Sequence, residues 1–217
     1  MREQVIEKVL EHKIIAIVRG VDGSSVLKTA QALYEGGIRL VEVTFNQKDP
    51  SSWCQTAEAI RSIRAEMGDK MLVGAGTVTS PELVQMAADA GAMYIISPDT
   101  DVEVIKKTRE LGLVSMPGAY TATEAKQAHK AGADFVKLFP CIEGAPAYLK
   151  ALCAPLNHIK FLAVGGVNAD NAATFLRSGA VGVGVGGSLV NKKWVEAGQF
   201  HLLTAEAKKF IENIKNA

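Results

Sequence analysis

A helix-like segment that ends on glycine and is followed at once by an apolar run recurs along this chain. Five instances stand out: Glu35-Gly36-Gly37 before IRLVEVTF, Ala90-Gly91-Ala92 before MYIISP, Leu111-Gly112 before LVSMPG, Ala131-Gly132-Ala133 before DFVKLFP, and Ser178-Gly179-Ala180 before VGVGVGG. A glycine can take the left-handed conformation that stops a helix without steric cost. A repeat at this spacing marks one supersecondary unit used many times. Adding IIAIVR (14–19), MLVGAGT (71–77) and IKFLAVGG (159–166) gives eight strand candidates, each followed by a plausible helix. The strands are rich in Val and Ile with little alternation, as expected of parallel strands covered on both faces. Eight such units predict a closed (β/α)8 TIM barrel, and 217 residues, 48% of them hydrophobic, suffice for one such domain spanning 1–217.

An open dinucleotide-binding sheet is the structural competitor. It needs its glycine fingerprint after an early strand, whereas GVGVGG occupies 182–187, too late for such a domain. That run reads as the eighth strand and its loop. The N-terminal stretch Met1–Lys13 is charged throughout and predicts an amphipathic helix carrying Val5, Ile6, Val9 and Leu10 on one side.

Composition narrows the partners. The 24 Lys+Arg against 23 Asp+Glu leave a formal charge of +1, which offers no basic field for nucleic acid or an anionic membrane. No apolar run reaches bilayer length. Cys54, Cys141 and Cys153 are odd in number and lack metal-type spacing, which fits reduced thiols and a cytoplasmic setting. His12, His129, His158 and His201 fall in helices or before a strand, away from strand C-termini, so neither a metal site nor metal-dependent chemistry is expected.

In a parallel barrel, chemistry collects at the C-terminal ends of the strands. Alternation in IRLVEVTF places Leu40, Glu42 and Thr44 on one face, and in DFVKLFP it places Phe135, Lys137 and Phe139 on one face. A buried ionisable group is costly unless it is used or paired. An amine attacks a ketone only when unprotonated, and a low-dielectric site pushes a lysine toward that state. Lys137 is the candidate nucleophile, and a partly desolvated Glu42 suits the proton transfers of imine formation and reversal. Arg19, at the end of the first strand, presents a fixed fork for a substrate carboxylate. Thr77 and the amides of a turn at Gly74-Ala75-Gly76 complete that pocket. Gly165-Gly166 after the seventh strand and Gly186-Gly187-Ser188 after the eighth let backbone N–H groups approach an anion, which points to a phosphorylated substrate.

Each reading has a plainer competitor. Lys137 and Glu42 as an isolated pair fit a structural ion pair equally well, and Arg19, as a third charge, favours a site. The glycines after the last two strands also fit close strand–helix packing. Lys160 lies at the opposite, stability end of its strand and reads as a snorkelling side chain.

GGIRLVEVTF, VGAGTV, ISP, DFVKLFP, AVGGV and GVGGSLV, in this order and at barrel spacing, resemble the 2-keto-3-deoxy-6-phosphogluconate / 4-hydroxy-2-oxoglutarate aldolase family over nearly the whole chain. The resemblance implies a barrel homotrimer of the Entner–Doudoroff type that needs no cofactor. It matches Lys137 to the Schiff-base lysine and Glu42 to the acid/base. Arg19 and Thr77 then bind the pyruvyl carboxylate, Pro98 and Phe139 line the pocket, and Gly165, Gly166, Gly187 and Ser188 take the phosphate. Two positions depart from the gluconate-type pattern. Asn46 stands where those members carry arginine, and Val164 stands where they carry threonine before the paired glycines, as in the 6-phosphogalactonate branch.

The expected function is class I cleavage of a 2-keto-3-deoxy-6-phospho sugar acid to pyruvate and glyceraldehyde 3-phosphate, with 4-hydroxy-2-oxoglutarate as a further substrate. A barrel phosphosugar isomerase or epimerase is the alternative, using Glu42 as a base and needing no buried lysine. A keto-acid phosphate binding protein without turnover is the other.

Overall fold

A computed structural model describes residues 2–21, 23–215 and 217. Its parallel strands are β1 (Ile14–Val18), β2 (Leu40–Thr44), β3 (Leu72–Gly76), β4 (Tyr94–Ile96), β5 (Val114–Met116), β6 (Gly118–Ala119), β7 (Val136–Leu138), β8 (Phe161–Val164) and β9 (Ala180–Val185). They run in the order β5-β4-β3-β2-β1-β9-β8-β7-β6. The expected fifth strand is therefore broken in two. Its break falls at Pro117, which has no N–H to give to a ladder. β5 pairs with β4 and β6 with β7. The two halves still close the barrel, because Phe135 N donates to Ser115 O at 3.2 Å and Lys137 N to Pro117 O at 2.8 Å. Nine strand segments thus make the eight staves expected.

The connecting helices are α2 (Gly23–Glu35), α3 (Trp53–Met67), α4 (Pro81–Asp89), α5 (Val102–Glu110), α6 (Ala122–Ala131), α7 (Ala145–Cys153), α8 (Ala172–Arg177), α9 (Lys192–Glu196) and α10 (Phe200–Ile214), with α1 (Arg2–His12) preceding β1. Polar caps start several of them. Ser80 accepts from Leu83 N ahead of α4, Asp101 caps α5, and Thr121 with Glu124 forms a reciprocal capping box on α6. The five helix-ending glycines named above, at 37, 91, 112, 132 and 179, all have positive φ, between 70° and 110°.

Two apolar layers follow from strand alternation. Val41, Val43, Val136 and Leu138 face the helices, in the outer core. Ile15, Leu40, Leu72, Tyr94, Val114, Phe135 and Leu162 fill the barrel interior, where Val5 and Val9 of α1 join them. The N-terminal helix thereby plugs the N-terminal mouth, and its described part carries the expected apolar side; Met1 lies outside the described residues. The floor at that end leaves the C-terminal end of the interior for polar groups.

Candidate active site

Glu42 of β2 and Lys137 of β7 sit one alternation step above Leu40 and Phe135, so both point into the barrel. Only 2% of Glu42 and 6% of Lys137 is exposed. Space for the carboxylate comes from β3, where a Cβ on Gly76 would run into the Glu42 carboxyl group. A Cβ on Gly74 would strike the Tyr94 ring, which lies beneath and donates its hydroxyl to Val41 O at 2.6 Å. Gly74-Ala75-Gly76 is therefore strand and not the anion-binding turn expected of it. Its amides belong to the ladder, and its glycines make room.

The electrostatics of the pair follow from burial. Desolvation raises the Glu42 carboxyl above its ordinary range, against the pull of Lys137 and Arg19. Desolvation likewise lowers the Lys137 ammonium; Glu42 and Asp99 resist, and Arg19 adds to the lowering. The Lys137 Nζ lies 4.6 Å from the centre of the Phe139 ring, a contact that favours the charged form, yet burial dominates the direction. Among the described residues Lys137 has no ion pair within 4.0 Å, and Glu42 Oε2 is buried without a hydrogen-bond partner. A structural ion pair would show the opposite. Burial pushes both groups toward their uncharged forms, and Glu42 Oε2 keeps hydrogen-bonding capacity in hand.

Arg19 follows β1 at the rim, exposed, and its Nη2 donates to Thr77 Oγ1 at 3.3 Å. The structure thus brings together two residues 58 positions apart in sequence. Thr77 has φ +57°, an unusual backbone for a β-branched residue. A cleft of about 980 Å³ opens here, with Arg19, Thr44, Asn46, Gln47 and Thr77 on its wall. Glu42 and Lys137 are more deeply buried and do not line it. Asn46 lines this cleft while its Oδ1 accepts from Lys48 N at 3.1 Å and its carbonyl from Trp53 Nε1 at 2.9 Å. Pro98 is half-buried at the rim, its carbonyl packed where a Cβ on Gly118 would fall.

The last two loops are tied to each other, since Ser188 Oγ donates to Val167 O at 2.6 Å. Gly165 and Gly166 have φ of +90° and +67°, and a side chain on Gly166 would meet the Cys141 carbonyl. Backbone shape and packing alone already require glycine at 166. Gly187 differs: φ there is not in the left-handed region, and nothing lies within 4 Å of a Cβ placed on it. The remaining expectations fall as follows. Lys160 is exposed with its Nζ 5.9 Å from the Phe135 ring centre, and His129 and His158 stack edge to face away from the strand C-termini.

Some members of this cluster have no assigned role in the sequence reading. Thr44 is buried beside Glu42 on the interior face, and alternation alone reveals it. Asp99, raised by burial and by Asp101 and lowered by Lys137, follows Pro98 directly. Tyr94 and Gly76 matter through cross-strand register, which no local pattern encodes.

A parallel barrel with ionisable side chains gathered at its C-terminal end is the architecture of a barrel enzyme. The family model "KDPG and KHG aldolase" matches residues 5–205. The chain belongs to this family of carbon–carbon lyases. It is 37% identical to a 2-dehydro-3-deoxy-6-phosphogalactonate aldolase of Escherichia coli over 94% of this chain and 95% of that one. It is 33% identical to a 2-dehydro-3-deoxy-phosphogluconate aldolase of Treponema pallidum over 96% and 95% of the two chains. A KDPG aldolase from Legionella pneumophila, solved with pyruvate captured as a covalent carbinolamine intermediate, superposes with a TM-score of 0.84 at 26% identity, covering 94% of this chain and 96% of that one. No helix among the described residues is long and apolar enough to cross a membrane.

Proposed function

We propose that residues 1–217 form one aldolase domain in which Lys137 holds a 2-keto-3-deoxy-6-phospho sugar acid as an imine. The observation that carries this is the pair of buried, mutually unconsumed groups, Lys137 and Glu42, on one interior face. Neutral Lys137 Nζ attacks the C2 ketone to give a carbinolamine. Glu42 donates a proton to the departing hydroxyl, which leaves as water and yields the iminium. The Glu42 carboxylate then takes the C4 hydroxyl proton as the C3–C4 bond breaks. Its electron pair passes to the iminium and glyceraldehyde 3-phosphate leaves. Protonation of the enamine at C3, followed by water addition, releases pyruvate and restores the free amine.

Arg19 and Thr77 hold the carboxylate, while Pro98 and the Phe139 ring wall the reacting carbons. Phosphate is held by the amides around Gly165, Gly166, Gly187 and Ser188; the Ser188 hydroxyl is already engaged with Val167, so its part is the backbone N–H. Val164 presents a methyl wall in place of a hydroxyl donor, which favours the galactonate epimer. Free thiols at Cys54, Cys141 and Cys153 suit a reducing cytoplasm, and the family resemblance supports a homotrimer.

A side-by-side cleavage assay with both phosphorylated epimers and 4-hydroxy-2-oxoglutarate tests this. Pyruvate is expected from both epimers, the galactonate form being cleaved at least as well as the gluconate form. The unphosphorylated substrate should show the higher KM. A KM for 4-hydroxy-2-oxoglutarate equal to that of the sugar phosphates would remove the phosphate assignment, and no pyruvate from any of the three would remove the whole reading.

A further inference from the structure

The loop after β2 faces the substrate-carboxylate side of the barrel, where the Asn46 side-chain oxygen serves its own turn. Its neighbour Gln47 reaches across instead. Gln47 Nε2 donates to Thr77 O at 2.8 Å, and Gln47 Oε1 accepts from Thr79 Oγ1 at 3.0 Å. Both ends of the amide are therefore used on the loop after β3. That loop needs holding, because Thr77 sits at φ +57°, a conformation that an L-residue with a branched Cβ rarely adopts. Gln47 itself is well anchored. Phe45 N donates to Gly76 O at 2.9 Å, and Trp53 Nε1 holds the carbonyl of Asn46, so the backbone on its N-terminal side is tied to β3 and α3.

We infer that Gln47 is a positioning residue for the carboxylate pocket. Its amide clamps the backbone of Thr77 in the left-handed conformation, which aims the Thr77 hydroxyl at the Arg19 guanidinium 3.3 Å away and fixes both for one carboxylate. The inference rests on the reading of Thr77 and Arg19 as carboxylate ligands, and it adds the element that sets their geometry. Gln47 acts through Thr77 and touches no reacting atom. Replacing its amide changes how well a keto acid is held, while the chemistry at Lys137 proceeds unaltered once the site is filled.

The test is a double-mutant cycle on Gln47→Leu and Thr77→Val, read by the pyruvate dependence of borohydride-trapped adduct, with melting temperature recorded alongside. Each single variant should raise the half-saturating pyruvate concentration, by roughly 5-fold for the loss of one such contact. In Gln47→Leu the trapping rate at saturation should change less than about 2-fold. In the Thr77→Val background, Gln47→Leu should add almost nothing, because its effect passes through the hydroxyl already removed. Gln47→Glu, which keeps the acceptor for Thr79 and sets a carboxylate against the Thr77 carbonyl, should be as impaired as Gln47→Leu. If Thr77→Val weakens pyruvate and Gln47→Leu only lowers the melting temperature, Gln47 is a loop support and the inference is overturned. Fully additive effects overturn it too. If Thr77→Val leaves pyruvate binding unchanged, the carboxylate role of Thr77 fails first, and Gln47 has nothing to position.

Discussion

The two ends of this barrel both bury ionisable side chains, and they treat them in opposite ways. At the N-terminal end the Asp134 side chain is 4% exposed and saturated with partners. Arg2 of α1 pairs with it, Arg109 Nη1 donates to its Oδ1 at 3.2 Å, and Ser115 N donates to its Oδ2 at 2.9 Å. One carboxylate so fastens α1 and α5 to the strand pair that closes the barrel. At the C-terminal end, Glu42 and Lys137 are equally buried, and among the described residues neither has a direct ion pair. A partnered carboxylate holds the fold at one end, and at the other two ionisable groups are buried without being paired to each other. The contrast matches the division of labour in parallel barrels, where one face stabilises and the other reacts.

The contrast can be broken most forcefully at Glu42. Glu42→Gln keeps the shape and removes the proton shuttle, and steady-state cleavage should fall roughly 10²–10⁴-fold while pyruvate still binds. Normal turnover in this variant would make the C-terminal carboxylate as structural as Asp134. Smaller effects should divide the two ends of the substrate. Arg19→Met is expected to raise KM roughly 10-fold or more for every 2-keto acid, phosphorylated or not, since it removes a charge-assisted contact to the shared carboxylate. Gly187→Val should raise KM for phosphorylated substrates only. The open surroundings of Gly187 make this the cleanest of the loop positions, because nothing in the protein lies within 4 Å of a Cβ added there. Equal losses on both substrate types would return the strand-end loops to a packing role.

Asp134→Ala should have the least effect on catalysis and a clear effect on stability. Loss of its charged hydrogen bonds should cost about 2 kcal/mol in denaturant unfolding, discounted because Arg2 and Arg109 are about a third exposed and can rehydrate. kcat/KM should stay within about 2-fold. A large catalytic loss would mean that the two ends are coupled and the comparison is too simple.

The barrel was legible in the chain because its signals are local. A glycine that ends a helix and a branched apolar strand after it need no knowledge of neighbours, and the repeat carried the count of staves. The break at Pro117 was visible as a residue but not as an interruption, since whether a strand bends there depends on which partner each half finds. Glu42 and Lys137 were legible for the same local reason: two-residue alternation puts an ionisable group on the face that ought to be apolar. The glycines of β3 look like a turn in the sequence because their purpose lies across the sheet, one opposite the Tyr94 ring and one opposite the Glu42 carboxylate. Gln47 carries no local signal, because its role depends on a loop 30 residues away.

The central claim is that the lysine inside the barrel is the nucleophile, and trapping tests it most directly. Incubation with pyruvate and borohydride, followed by peptide mapping, should place a reduced three-carbon adduct on Lys137 and on no other lysine. Burial lowers Lys137, so labelling should persist at pH values where an ordinary lysine is fully protonated, and should fade only as the pH drops through that lowered value. Lys137→Met should take up no label and cleave no substrate. An adduct on any other lysine, or full cleavage activity in Lys137→Met, would contradict the account.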